Sequence, residues 1–168
     1  MRSSPDVWGG ATVLQSTGLT SGPEIRNIWT NSLVPVRLED HVDIANDDDL
    51  IVARQNVRML AEEIGFSSTD QTMLAAVVTE LARNILDYAR RGELLIHAIE
   101  GTGRRGIAII ARDQGPGIPN IKEALQASYS VAGGLGLGLR GVKGIMDSLD
   151  IVSAPGRGTT VTARKWQS

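Results

Sequence analysis

The spacing of apolar residues changes several times along the chain, and each change marks an element. From Val34 the segment VPVRLE alternates as a half-buried strand does, and VDIAN, from Val42, supplies a second short strand. The run LIVARQNVRMLAEEIGF repeats its apolar residues at helical spacing and is stopped by Gly65. Asp47, Asp48 and Asp49 precede it, where a helix dipole favours negative charge, so they read as a helix start rather than a metal site. Ser67 or Ser68, with Asp70, opens a second helix, TDQTMLAAVVTELARNILDYARRG, closed by Gly92. Its apolar stripe is Leu74, Val77, Val78, Leu81, Ile85 and Tyr88.

ELLIHAIE and RGIAIIARD read as strands joined around Gly101 and Gly103. A Gly and Pro stretch follows, then a helical piece, IKEALQA, a glycine-dense segment and the helix GVKGIMDSL. LDIVSA and TTVTARKW end the chain as strands separated by the turn PGRG. This order predicts a two-layer α/β sandwich, a mixed sheet with helices on one face. Strands and helices do not alternate regularly enough for a Rossmann repeat. Residues 1–33, rich in Gly, Ser, Thr and Asn, have isolated apolar residues such as Trp8 and Trp29 and no sustained period. They are expected to form a flexible extension ahead of one domain over residues 34–168, with Pro23 to Trp29 able to form a short docking helix.

Composition narrows the function. The 168 residues suit one domain, and 17 Lys and Arg against 19 Asp and Glu give a net charge of −2. A net field of that sign offers nothing to a nucleic-acid backbone or an anionic membrane. There is no cysteine, which excludes thiol nucleophiles, disulfides and thiolate metal sites, and two histidines cannot build a multi-histidine zinc centre. No apolar run approaches the roughly 18 residues of a membrane span, and the first residues lack the order of a signal peptide. A soluble, cytoplasmic protein is expected.

Three segments carry candidate chemistry. Glu80 and Asn84 lie four apart on the second helix, stacked on the flank of its stripe, so that both can enter one cleft. Asn84 offers a neutral oxygen to Mg²⁺, and Glu80 can take a proton from a water or hydroxyl. Asp113 ends an apolar strand and opens Asp113-Gln114-Gly115-Pro116-Gly117. A carboxylate fixed there accepts from the exocyclic amine of adenine, and Gly115 and Gly117 allow the base to approach. Finally, Gly133-Gly134-Leu135-Gly136-Leu137-Gly138-Leu139 precedes a helix, where converging amides suit phosphate oxygens. No Walker lysine follows it. The connection after Ile118, with Ser128, Tyr129 and Ser130, is long enough to close as a lid, whereas Arg140 and Lys143 read as solvated.

Glu80-Leu81-Ala82-Arg83-Asn84, the Asp113 to Gly117 motif, Gly134 to Leu139 and Gly158-Thr159-Thr160 resemble, in order, the four nucleotide-binding boxes of the Bergerat-fold ATPases. That superfamily includes gyrase, Hsp90, histidine kinases and MutL proteins. The short lid is most similar to the bacterial anti-sigma-factor serine kinases, especially the stressosome switch kinase acting on STAS-domain proteins. The resemblance implies ATP/ADP and Mg²⁺ as ligands, Glu80 as base, Asn84 as Mg²⁺ ligand and Asp113 as adenine anchor. It places Gly115, Gly117 and Ile118 beside the base, Gly134, Leu135, Gly136, Leu137, Gly138 and Leu139 at the phosphates, and Thr159 near the adenine. Asp87 stands near the nucleotide where many members carry a basic residue.

The implied reaction is phosphoryl transfer to a serine or threonine of a STAS-domain partner, with a PP2C-type phosphatase as a further partner. Two alternatives stay open: an anti-sigma factor that also phosphorylates its antagonist, and an ATP-dependent binding switch with negligible transfer. His41 and His97 give no reason to expect a histidine kinase, since neither sits on a dimerising helical hairpin, and His97 alternates with apolar residues in a strand.

Overall fold

A computed structural model of the chain describes residues 34–126 and 137–168, with side chains from residue 40 onward. Residues 1–33 and the connection bearing Ser128, Tyr129 and Ser130, with Gly134, Leu135 and Gly136, lie outside the described residues. The elements are β1 (Val34–Ile44), α1 (Asp47–Ile64), α2 (Ser68–Asn84), a π-helical turn (Ile85–Ala89), β2 (Gly92–Gly101), β3 (Arg104–Asp113), α3 (Ile121–Gln126), α4 (Gly138–Ile145), β4 (Ser148–Ser153) and β5 (Thr159–Trp166).

The five strands form one sheet in the order β1-β2-β3-β5-β4. The expected two layers are present, but the sheet is not mixed: all four described pairings are antiparallel. Helices α1 and α2, of 18 and 17 residues, run out and back and return the chain to the end of the sheet it left, so β2 must oppose β1. β2–β3 and β4–β5 are hairpins, antiparallel by construction. The two short strands expected before α1 are one strand, interrupted by register shifts at Pro35/Arg37 and Leu38/Asp40.

Helix α1 starts at the three aspartates. Asn46 caps it by accepting from the amides of Asp48 and Asp49, and the Asp49 carboxylate accepts in return from the amides of Ala45 and Asn46. The capping box, with the aspartates in the first turn, bears out the helix start expected at the acidic run. Gly65, at φ +98°, ends the helix in the left-handed conformation that glycine adopts at least cost.

The core lies between sheet and helices. Leu50, Val57 and Leu60 of α1 and Leu74, Val77, Val78 and Leu81 of α2 pack on Leu94, Ile96, Ile107 and Ile109 of β2 and β3. The α-helical pattern expected to run to Gly92 stops at Asn84, and the wider π turn that follows shifts the phase of the side chains. Ile85 stays in the core, whereas Tyr88, expected on the buried stripe, is 56% exposed. Arg90, at φ 65°, then turns the chain into β2.

His97 is half-buried on the sheet face opposite the helices. Desolvation, and then the Arg112 guanidinium, hold its pKa below the usual histidine value of about 6.5. Above that value both folded and unfolded states carry neutral imidazole; between it and the lower folded pKa only the unfolded state binds the proton. Stability is therefore expected to fall as the pH drops through 6.5 toward that lower value. Urea midpoints at pH 7.5 and 5.5 for the parent and His97→Gln check this; an unaltered difference in the variant assigns the acid sensitivity elsewhere.

Candidate nucleotide site

A cavity of about 560 Å³ opens beside α2, the π turn, the β3 end and the start of α4. Its size falls within the range of small-molecule pockets. Glu80, Asn84, Asp87, Asp113, Gly117, Ile118, Gly138, Leu139 and Thr159 line it. Four segments remote in sequence thus converge on one space.

Glu80 is 4% exposed and is the one buried charged residue among those described. Its Oε2 accepts from the Gly138 amide at 3.0 Å, so the first turn of α4, where backbone N–H groups are unpaired within the helix, already holds a carboxyl oxygen. Asn84 follows one helical turn later on the cavity side and is half-buried. Asp87 lines the mouth and is exposed.

Asp113 ends β3, paired in register with Thr159 of β5. Its Oδ1 accepts from the Gly115 amide at 2.8 Å, while Oδ2 makes no hydrogen bond among the described residues. The carboxylate is thereby oriented with one oxygen held by the backbone. A side chain at Gly115 would press on Ala89, and Gly117, at φ +75°, lies where a Cβ would overlap the Ala154 carbonyl. Gly115 is therefore a close approach and Gly117 a conformational requirement.

Ser153 ties this loop to the β4–β5 hairpin. Its hydroxyl accepts from the Ile118 amide at 2.8 Å, donates to the Gly158 carbonyl at 2.9 Å, and meets Thr159 Oγ1 at 2.9 Å. The Gly156 amide also donates to the Pro116 carbonyl at 2.7 Å. Sequence patterning singles out neither Ser153 nor Asn120, and it puts Tyr88 in the core, whereas Asn120 and Tyr88 line the cavity. Only their place in the tertiary structure reveals them.

Of the glycine-dense segment, the described part is Leu137, Gly138 and Leu139. Leu137 is the N-cap residue of α4 and half-buried, and Leu139 enters the core. Helix α4 begins at Gly138, earlier than the Gly141 start the pattern suggests. Arg140 and Lys143 are exposed, as expected of solvated residues.

The donors suit a nucleotide: a carboxylate and apolar walls at the β3 end for a base, and the start of a helix with Asn84 beside it for phosphates. Asn84 offers a neutral oxygen of the hard type suited to a divalent cation such as Mg²⁺.

The profile of the family described as histidine kinase-, DNA gyrase B-, and HSP90-like ATPase matches residues 69–167. Serine/threonine-protein kinase RsbT of Bacillus subtilis is 44% identical over 125 residues, covering 74% of this chain and 94% of RsbT. The anti-sigma F factor of Halalkalibacterium halodurans is 30% identical over 120 residues, covering 67% of this chain and 81% of that protein. The solved SiaB-SiaC complex from Pseudomonas aeruginosa aligns at 12% identity and a TM-score of 0.49, covering 77% of this chain and 91% of that chain. The chain belongs to the histidine kinase-, DNA gyrase B- and HSP90-like ATPase family, an ATP-binding family, and within it to the RsbT-like serine/threonine-protein kinases.

Proposed function

We propose that this cavity binds Mg²⁺-ATP and transfers the γ-phosphoryl group to a serine or threonine of a STAS-domain partner in a cytoplasmic partner-switching pathway. The observation that carries the reading is the convergence of buried Glu80 with Asn84, Asp113 and the start of α4 on one cavity. Asp113 accepts from the exocyclic amine of adenine, with Thr159 and Ile118 at its side. Glu80 orients the incoming hydroxyl and takes its proton as oxygen attacks the γ-phosphorus; the bond to the β–γ bridging oxygen breaks and ADP leaves. The start of α4 at Gly138 faces the phosphates, and by the family resemblance Gly134, Leu135, Gly136, Leu137 and Leu139 belong to the same phosphate-binding box. Asn84 would hold Mg²⁺, which would supply neutralisation of the phosphate charge there. Gly115 and Gly117 shape the base side, and Asp87 stands at the mouth. Once released from its STAS partner, the free kinase binds and activates a PP2C-type phosphatase.

Intact mass of candidate STAS proteins after incubation with Mg²⁺-ATP tests this reading. One added phosphate per acceptor is expected. An ATP-dependent complex that gains no phosphate would instead establish a binding switch. Asp113→Asn is expected to weaken ATP and ADP about 10- to 100-fold, the worth of a hydrogen bond to a charged acceptor. Calorimetric titration with ATP and GTP checks it, and unchanged affinity and base preference would remove Asp113 from the adenine. The similarity to an anti-sigma F factor favours sigma-factor binding as the second reading. Capture of a sigma factor in the presence of ADP distinguishes it.

A further inference from the structure

A second cavity of about 510 Å³ lies in the groove between α1 and α2. Ile51, Arg54 and Arg58 form its α1 wall, three and seven residues apart on one stripe, while Ala75, Ala76 and Thr79 of α2 give it a shallow floor. The Thr79 hydroxyl is spent on the Ala75 carbonyl at 2.8 Å, and the neighbouring Thr72 hydroxyl on the Ser68 carbonyl at 2.9 Å. Polar recognition in the groove therefore falls to its arginines.

Arg54 and Arg58 are exposed and make no ion pair among the described residues. Arg83 closes the groove at the other end. One of its terminal nitrogens meets Asp47 at 2.8 Å, but its Nε is buried without an acceptor among the described residues. The part of Arg83 that a partner's carboxylate can reach is its terminal nitrogens, on a side chain 26% exposed. Three arginines against Asp47 make this groove basic in a chain of net charge −2. Ile51, 54% exposed, adds an apolar contact beside them.

We propose that the α1–α2 groove docks an acidic amphipathic segment of a partner protein, with carboxylates on Arg54, Arg58 and Arg83 and an apolar side chain on Ile51. This deepens the function proposed above by placing the partner. A small anion would match the charges and leave Ile51 uncovered. A second copy presenting the same groove across a two-fold axis would set arginine against arginine. Arg83 also lines the nucleotide cavity and directly precedes Asn84, so an occupied groove is felt beside the phosphates.

The test uses the full chain without ATP, so it stands whether or not phosphate is transferred, and ADP is added only for the controls. The probe is a fluorescein-labelled helical peptide with Glu at four-residue spacing and Leu between, alongside its Gln-for-Glu twin, read by anisotropy. The Glu probe is expected to bind at least about tenfold tighter than the twin, and the double variant Arg54→Glu, Arg58→Glu to lose at least about tenfold, with ADP affinity unchanged. Arg83→Met is expected to weaken the probe and to abolish any effect of ADP on probe affinity. Equal binding of both peptides, no binding, or affinity unmoved by charge reversal overturns the proposal. So does displacement by equimolar pyrophosphate, which marks a small-anion site, or a dimer that Arg54→Glu dissolves in sedimentation.

Discussion

Replacing Glu80 by Gln is expected to lower phosphoryl transfer by about 10²- to 10⁴-fold, the usual contribution of a positioned general base. ADP affinity should stay within a few-fold. The substitution is chosen because Glu80 is both buried and bonded to the Gly138 amide at 3.0 Å. A glutamine carbonyl still accepts from that amide, so the start of α4 keeps its anchor while the proton acceptor is lost. Alanine would remove both and confuse the two roles. Single-turnover transfer from radiolabelled ATP, beside calorimetric titration with ADP, separates chemistry from binding. Transfer within tenfold of the parent protein would sink the role of Glu80 as base and leave positioning and the phosphate amides to supply the rate.

The second large effect falls at Gly158. It adopts φ +74°, and a Cβ there would overlap the Asp113 carbonyl. Gly158→Ala therefore combines backbone strain with a steric conflict at the Asp113–Thr159 end of the β3–β5 ladder. About 2–5 kcal/mol of stability should be lost, from roughly 1–2 for the conformation and 1–3 for overpacking. Gly156 is the internal control: it has φ +73° but nothing within 4 Å of its Cβ position. Gly156→Ala should cost only the strain, about 1–2 kcal/mol. Urea midpoints at unchanged slope measure both, and ADP affinity should drop only for Gly158→Ala. Equal losses for the two variants would mean that the hairpin yields without disturbing Asp113.

These residues differ in how far the sequence discloses them. Glu80 and Asn84 are legible because helical spacing places them on one side, and Asp113 because it interrupts an apolar strand just before glycines. The π turn is not, since Ile85 to Ala89 contains nothing that distinguishes it from ordinary helix; the widening answers to packing at Ile85 and to the turn at Arg90. Tyr88 was misplaced for that reason. The strand directions were also misjudged, because they depend on two helices of matched length returning the chain to its starting end. Ser153 is invisible locally, for its partners come from the β3–α3 loop as well as its own hairpin. The capping of α1 is the opposite case: Asn46 and Asp49 act within four residues, and the acidic run is read correctly without tertiary context.

The bonds from Ser153 and Gly156 to the loop after Asp113 have a thermodynamic consequence. They set the base-side wall when the chain folds, so a nucleotide need not order that wall on arrival, and its affinity gains the entropy it would otherwise lose. Stability and ligand affinity are then linked through shared hydrogen bonds: loosening the β4–β5 turn should raise the dissociation constant of ADP without altering any atom that touches it, and ADP should in turn protect that turn's amides from exchange.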